Sequence, residues 1–345
     1  MSTTRLQEVL VAFGKGKQAD IATAQLSAAL WRFSKLNAAL ANPALRTEND
    51  ADEYGKGHEF ATATFKTSWD VNGTLEKYLG AEVAAWAVCF ALGKVVKSGE
   101  GPYIYTCTPL MPAAGDDAEL PYFSFCEQIR PGAGVVLDRL AIGCAVEGFQ
   151  ISIGSGPGRA NSKISIEFVG SGKVIDADTG ITIPAATAEK LLPSASLTLT
   201  LNGVDYVTNK NIVSLETGWK NNIRMDAGFF PGSGFQTAGD GATGAVRGRL
   251  EFGNRVGNLR FVARFENGSA EYAKLKAQTT GTALIHLQYD ANNALDLTWQ
   301  KVAYQAVEIG ESDGILTVAV DCIPMYDAAN GVLTAVAKCA VYGIC

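Results

Sequence analysis

Hydrophobic and polar residues alternate along much of the chain, but their period changes within residues 58–95. From Glu59 to Asp70 every second residue is mostly apolar, which predicts a half-buried strand with one polar face. After Asn72-Gly73 the apolar residues recur at steps of three and four, which predicts a helix over Thr74–Leu92 packed on that strand. The side chains expected in the core beneath this helix are Phe65, Trp69, Leu79, Val83, Trp86 and Phe90.

The order of predicted elements occurs twice along the chain. Strands, a helix and further strands are followed, from about residue 211, by a second series whose helix is predicted at Ala270–Gln278. Residue identity between the two series is negligible, so the repeat is one of pattern alone. The predicted organisation is an N-terminal segment and acidic loop over 1–58, a first module over 59–183, a connector and hairpin over 184–210, a second module over 211–330 and a C-terminal segment over 331–345.

Composition favours a mainly β protein and excludes several classes of function. The 345 residues include 37 glycines and only 19% charged residues, a balance typical of sheets and turns. The net charge of −6 provides no basic excess for tight binding of DNA. The longest apolar run, Val83–Leu92, is about half of the ~20 residues that a membrane-spanning helix needs. Without a recognisable signal sequence, we expect synthesis in a cytoplasm and no membrane partner.

Candidate catalytic and metal-binding residues do not form a recognisable pattern. His58 is not followed by an HExxH motif, and His286 occupies the polar side of a predicted strand. The seven cysteines are scattered and never spaced as CxxC. We therefore expect no catalytic activity, metal or cofactor.

A glycine-rich segment over residues 228–244 is too long for a tight hairpin and contains three aromatic residues. Two interpretations are equally favoured: a surface loop, or an arm that orders on a neighbouring subunit and shields its aromatics from water. The aromatic residues of this predicted inter-subunit arm are Phe229, Phe230 and Phe235.

Three stretches together suggest a family: EYGKGHEFATATFKTSWDVNGTLEKYLGAEVAAWAVCFALGKV, then KISIEFVGSGKV, then EYAKLKAQTTGTALIHLQYDANNALDLTWQKVAYQAVEIGESDGILTVAVDCIPMYD. In the alternation of their strands, in their turns, in the transition from strand to helix and in their order along the chain, they resemble the tail tube (major tail) proteins of long-tailed bacteriophages. The resemblance covers roughly residues 45–330. The resemblance implies tube modules of the β-barrel or sandwich type with packed helices, which contribute strands to a ring-shaped β-barrel around a central channel. By alternation, the positions expected on the polar or channel-facing side are Thr62, Thr64, Lys66, Ser68, Asp70, Arg247, Arg249, Glu251, Arg260, Arg264 and Glu266.

The function implied by the resemblance is structural: stacked rings in the virion tail through which double-stranded DNA passes during ejection without specific binding. Its implied partners are further copies of the chain, the tape-measure protein, and the tail terminator and distal tail proteins. Two modules per chain favour a trimeric ring with pseudo-six-fold symmetry over a hexamer. The alternatives are a β-sandwich binding or adhesive module and, least favoured, an enzyme on a β scaffold.

Overall fold

The computed structural model describes residues 9–33, 36–49, 60–129, 137–154, 161–175, 179–210, 212–231, 235–237, 243–265, 271–312 and 314–344. Most of this chain is strand, so the expectation of a mainly β protein is confirmed. The strands are β1 Val9–Gly14, β2 Leu30–Trp31, β3 Leu36–Asn49, β4 Thr64–Tyr78, β5 Gly93–Ser98, β6 Tyr103–Pro109, β7 Phe123–Ile129, β8 Leu137–Gly154, β9 Lys163–Ile175, β10 Thr198–Leu201, β11 Val204–Asp205, β12 Ile212–Lys220, β13 Phe235–Thr237, β14 Thr243–Ala245, β15 Val256–Arg264, β16 Thr280–Asp290, β17 Asn293–Ser312, β18 Ile315–Met325 and β19 Leu333–Cys339. The helices are α1 Ala81–Leu92, α2 Tyr206–Lys210 and α3 Glu271–Lys276, with short 3-10 turns at Ser27–Ala29, Pro112–Ala114, Ser194–Ser196 and Asp226–Gly228.

Eight antiparallel strands form the central sheet, in the order β3-β4-β9-β8-β12-β15-β18-β17. Two long strands of the central sheet, β8 and β17, also pair with strands outside it. The first half of β8 also pairs with β7, which leads to β1 and β2. The first half of β17 pairs with β16 on one side and β19 on the other, which lead to β10 and β6. Within the described ranges the sheet does not close into a barrel.

The helix α1 lies between the central sheet and the branch strands, where it packs against β8 on one side and β6 and β19 on the other. All twelve of its residues are buried. Because its sequence is apolar on every face except at Glu82, the helix is enclosed on all sides. The same hydrophobic core extends from β1 through α1 to β19 and so draws on both halves of the chain.

The predicted boundary between strand and helix is wrong by seven residues. The helix expected from Thr74 begins at Ala81, and Asn72-Gly73 lies inside β4, paired with both β3 and β9. The physical reason is that alternation continues: Val71 and Leu75 are buried while Asn72 and Thr74 are exposed. The helix ends at Gly93, whose φ of 86° favours glycine.

The second predicted series also differs in two elements. The stretch AVRGRLEFG, in which alternation predicts Arg247, Arg249 and Glu251 on one polar face, is not a strand beyond Ala245. Residues 246–255 form an irregular segment with an isolated bridge between Glu251 and Glu119. The helix expected at Ala270–Gln278 is the short α3, and Ala270 lies outside the described residues. No helix in the described ranges is long and apolar enough to cross a membrane.

Candidate interaction surface

One face of the central sheet is polar across five adjacent strands, and we call it the polar sheet face. Alternation in β8 places Gln150 outward while Phe149 and Ile151 are buried, and the neighbouring strands follow the same period. The residues that define the face are Gln150, Ser152, Lys163, Ser165, Glu167, Glu216, Lys220, Asn258, Arg260 and Asp321.

The charges of this face lie beside charges of opposite sign. Glu216 of β12 is directly opposite Arg260 of β15, which is in turn opposite Asp321 of β18. The Arg260 Nε is 3.3 Å from a carboxylate oxygen of Asp321. Among the ten residues of the face, three cationic side chains therefore balance three anionic ones.

A second ion pair crosses a strand because that strand has a glycine at the crossing point. Gly148 of β8 lies between Lys220 of β12 and Glu167 of β9. The Lys220 Nζ reaches over it to a Glu167 carboxylate oxygen at 3.2 Å. A Cβ at position 148 would come within 2.6 Å of the Trp219 carbonyl oxygen, so the close approach of β8 and β12 requires glycine here.

A groove of roughly 530 Å³ crosses the polar sheet face at this point. Amide and hydroxyl groups of Gln150, Ser165 and Asn258 line it, together with the edges of Phe149 and Trp219. Its lining therefore combines neutral hydrogen-bonding groups with the Lys220–Glu167 ion pair.

Asp70, at the edge of this region on β4, is held by two arginines. It pairs with Arg46 of β3, whose side chain is half-exposed, and with Arg247, whose side chain is fully buried. Burial alone would raise the pKa of Asp70, but the hydrogen bonds and charges of Arg247 and Arg46 outweigh it and hold the pKa below its ordinary value. Asp70 is thus an ionised structural anchor.

The buried position of Arg247 corrects the expectation that it lies on an exposed polar face. Its Nε donates to the Met225 carbonyl oxygen at 2.6 Å, and its Nη1 donates to the Trp69 carbonyl oxygen at 3.2 Å. Its guanidinium also lies 4.5 Å from the ring centre of Phe229. Arginine supplies several donors in a fixed fork, which explains why the segment after β14 is fastened here instead of forming a strand.

Two other expected channel-facing residues lie on the same extended segment. Arg249 pairs with Asp117 at 3.1 Å and Glu119 at 2.5 Å, and its Nε lies 3.2 Å from Glu251. These contacts bind the segment to the loop before β7. Arg249 and Glu251 are therefore half-buried in a local charge network and do not alternate on a strand.

The remaining predicted positions are dispersed. Thr62, Thr64 and Arg264 are exposed, Arg260 belongs to the polar sheet face, and Ser68 is buried. The Lys66 side chain and all of Glu266 lie outside the described parts of the structure. Their role in a channel stays a prediction.

The residues expected beneath the helix are mostly in the core. Leu79, Val83, Trp86 and Phe90 are fully buried, and Trp69 is half-buried. The side chain of Phe65 lies outside the described residues.

The predicted aromatic arm divides into different environments. Phe229 packs under Arg247 of its own chain, while the Phe230 side chain is exposed. Phe235 begins the short strand β13, and its side chain is outside the described set. These positions leave the role of the arm a prediction.

Most of the polar sheet face was not predicted from the sequence. Gln150, Glu216, Lys220, Asn258 and Asp321 were missed, although the alternation of β8, β12 and β15 could have identified several of them. Among the described residues, no group of three or more histidine, cysteine, aspartate or glutamate side chains could hold a metal ion.

Comparisons with protein-family models and with curated proteins gave no match.

Proposed function

We propose that this chain is the major subunit of a bacteriophage tail tube, a structural protein whose stacked rings form a channel for double-stranded DNA. The observation that carries the proposal is the strand order of the central sheet. Its first four strands, β3-β4-β9-β8, come from the first half of the chain, and its last four, β12-β15-β18-β17, come from the second.

The two sets of four strands share an order of elements, and each contains one inserted strand pair that the other lacks, β5–β6 in the first and β13–β14 in the second. In each set two sheet strands precede a helix, α1 or α3, and a strand that flanks the sheet, β7 or β16, comes directly before a hairpin, β8–β9 or β17–β18. This shared order supports two tandem tube modules within one chain. Three chains would then supply six modules to a ring, which favours a trimer over a hexamer.

The junction between the sets suggests how chains join. The second half of β8 pairs with β12. The equivalent part of β17, Tyr304–Ser312, pairs only with β18 among the described strands, and the equivalent of β12 is β3, at the opposite end of the sheet. In the proposed ring, β3 of one chain pairs with this part of β17 in the next, and closure protects both exposed edges.

The polar sheet face supports the proposed passage of DNA. A channel wall that contacted phosphates through many unpaired cations would retain DNA by release of counterions. On this face Arg260 and Lys220 are each beside a carboxylate, at 3.3 Å and 3.2 Å. A wall of balanced charges, amides and hydroxyls would allow the polymer to slide.

Electron microscopy of the purified protein tests the proposal, with Ile309 as the site of a matched pair of variants. Ile309 is 66% exposed on the outer part of β17. We expect stacked rings of three chains for the native protein and for Ile309→Ser. Ile309→Pro should remain folded but form no rings, because proline interrupts pairing along a sheet edge. Rings of six chains would contradict the tandem-module argument, and intact rings with Ile309→Pro would contradict the proposed joint.

The groove in the polar sheet face favours a second candidate, a β-sandwich binding or adhesive module. Its lining combines the amides and hydroxyl of Gln150, Asn258 and Ser165 with the Lys220–Glu167 ion pair, which suits a ligand rich in hydroxyl groups. A glycan array would distinguish the two. Binding that is lost in Asn258→Ala, by a protein that stays monomeric at every concentration, would support this candidate against the tube.

A further inference from the structure

Three charged side chains, Lys77, Glu82 and Glu189, meet inside the hydrophobic core at the start of α1. The side chains of Lys77 and Glu189 are both 0% exposed, and Lys77 Nζ contacts Glu189 Oε2 directly. Glu82, in the first turn of α1, is 3% exposed. Lysine and glutamate are among the residues least often fully buried, so this site calls for a chemical explanation.

The backbone brings Glu189 close to Glu82. Residues 190–192 of the connector run antiparallel to residues 79–81, with Gly80 opposite Leu191, which brings Glu189 to the first turn of α1, where Glu82 lies. The Lys190 N–H donates to Glu82 Oε2 at 3.1 Å. A Cβ at position 80 would lie 3.0 Å from Glu189 Oε1, so glycine gives the Glu189 carboxyl its place against the chain.

The surroundings of the site are apolar and aromatic. Lys77 Nζ lies 4.7 Å from the ring centre of Phe33, which packs edge-on against Trp31 at 4.7 Å and Trp86 at 5.7 Å. The Trp31 Nε1 donates to the Thr187 hydroxyl at 2.6 Å and so anchors the connector. Apolar and aromatic side chains therefore enclose the Lys77 amine and the Glu189 carboxyl group.

We propose that Lys77 and Glu189 condense into an intramolecular isopeptide bond, with Glu82 as the proton donor. The Lys77 ammonium first transfers a proton to the Glu189 carboxylate. The Nζ lone pair attacks Cδ of Glu189, the new C–N bond forms, and one C–O bond of the carboxyl breaks. Glu82 protonates the departing oxygen and regains a proton from the nitrogen. Amine and acid thus yield an amide and one water, with no oxidant or further reactant.

Two features of the site assist this step. The fold holds Lys77 Nζ against a carboxyl oxygen of Glu189, next to the Cδ that it attacks, which replaces a bimolecular encounter by an intramolecular one. Burial raises the pKa of Glu82, an effect opposed by backbone N–H donors including that of Lys190, and so shifts this carboxyl toward the protonated form that a general acid needs. The product also removes two buried charges from the core.

The mass of the intact native chain tests the proposal. Under denaturing conditions we expect the full chain to be lighter than its sequence by the mass of one water molecule. A tryptic digest should contain a branched peptide that joins the segments around Lys77 and Glu189, which are 112 positions apart. The exposed pair Lys220 and Glu167, 3.2 Å apart, is the control and should give ordinary peptides. A chain of unreduced mass would overturn the proposal without any variant.

Variants then separate the roles of the three residues. Lys77→Met and Glu189→Ala should each restore the full mass. In Glu82→Gln, bond formation in freshly folded protein should slow by roughly 10²–10⁴-fold, the usual contribution of general acid–base catalysis. A wild-type rate in Glu82→Gln would overturn its assignment as proton donor. Loss of mass that persists in Glu189→Ala would overturn the bond itself.

Discussion

Replacement of Arg247 by methionine should destabilise the fold far more than the same replacement of Arg46, although both arginines bind Asp70. Arg247→Met preserves much of the side-chain volume but removes the donors to Asp70 and to the Met225 and Trp69 carbonyl oxygens. Each buried acceptor left without a donor costs about 1–3 kcal/mol. The loss of one partner from a buried charged network costs about 3–5 kcal/mol in total.

Arg46 is the matched control because its side chain is 52% exposed. Exposed ion pairs contribute about 0–1 kcal/mol, so Arg46→Met should change the free energy of unfolding by no more than that. Urea denaturation followed by tryptophan fluorescence measures both variants, and comparison requires equal m-values. If the two variants lose the same stability, the structural distinction between the buried and exposed arginines is refuted.

The same pair also gives a dependence on pH. Because the pKa of Asp70 is lower in the folded protein, its contribution to stability is complete above the unfolded value of about 3.9 and is lost as the pH falls toward the folded value. The difference in stability between the native chain and Asp70→Asn should therefore be largest near neutral pH and shrink on acidification. The double variant Arg247→Met/Asp70→Asn should be less destabilised than the sum of the single changes by about 0.5–3 kcal/mol.

Two further pairs of variants test the packing. Trp86→Ala should lower the free energy of unfolding by about 3–5 kcal/mol, because it leaves a cavity at the fully buried centre of α1. Ile309→Ala, at a side chain that is 66% exposed, should change it by no more than about 0.5 kcal/mol in the same urea titration. Gly148→Ala should cost about 1–3 kcal/mol, because its Cβ would lie 2.6 Å from the Trp219 carbonyl oxygen. Gly310→Ala, whose Cβ would meet its nearest neighbour at 3.5 Å, is the control, and an equal loss from both in calorimetry would contradict the packing argument.

Alternation was sufficient to predict the class of fold and many of its strands, because a two-residue period records which side of a sheet faces the core. It failed where two periods fit the same residues. Leu75 and Leu79 are four positions apart, which suits a helix, but they also continue the odd-numbered buried positions that begin at Val71. Pairing of these residues with β3 and β9 selects the strand over the helix, and the local sequence pattern gives no information about that pairing.

Some residues of the candidate surface could be predicted from the sequence and others could not. Arg260 could be assigned to a polar face because its strand alternates regularly. Arg247 could not, because alternation in AVRGRLEFG gives no sign that a carboxylate 177 positions away, that of Asp70, binds its guanidinium. The buried contact of Lys77 with Glu189 was also missed, because Lys77 falls within the predicted helix Thr74–Leu92 and a lysine on such an element normally faces solvent.

The complete burial of α1 has a consequence for synthesis of the chain. The helix packs against β19, Leu333–Cys339, which leaves the ribosome long after α1 does. At about 5–20 residues per second, an apolar helix of twelve residues would wait roughly ten seconds to most of a minute for its covering strand. During that interval the side of α1 that β19 covers would stay exposed on the nascent chain, and we expect this apolar surface to favour aggregation or chaperone binding until translation reaches β19.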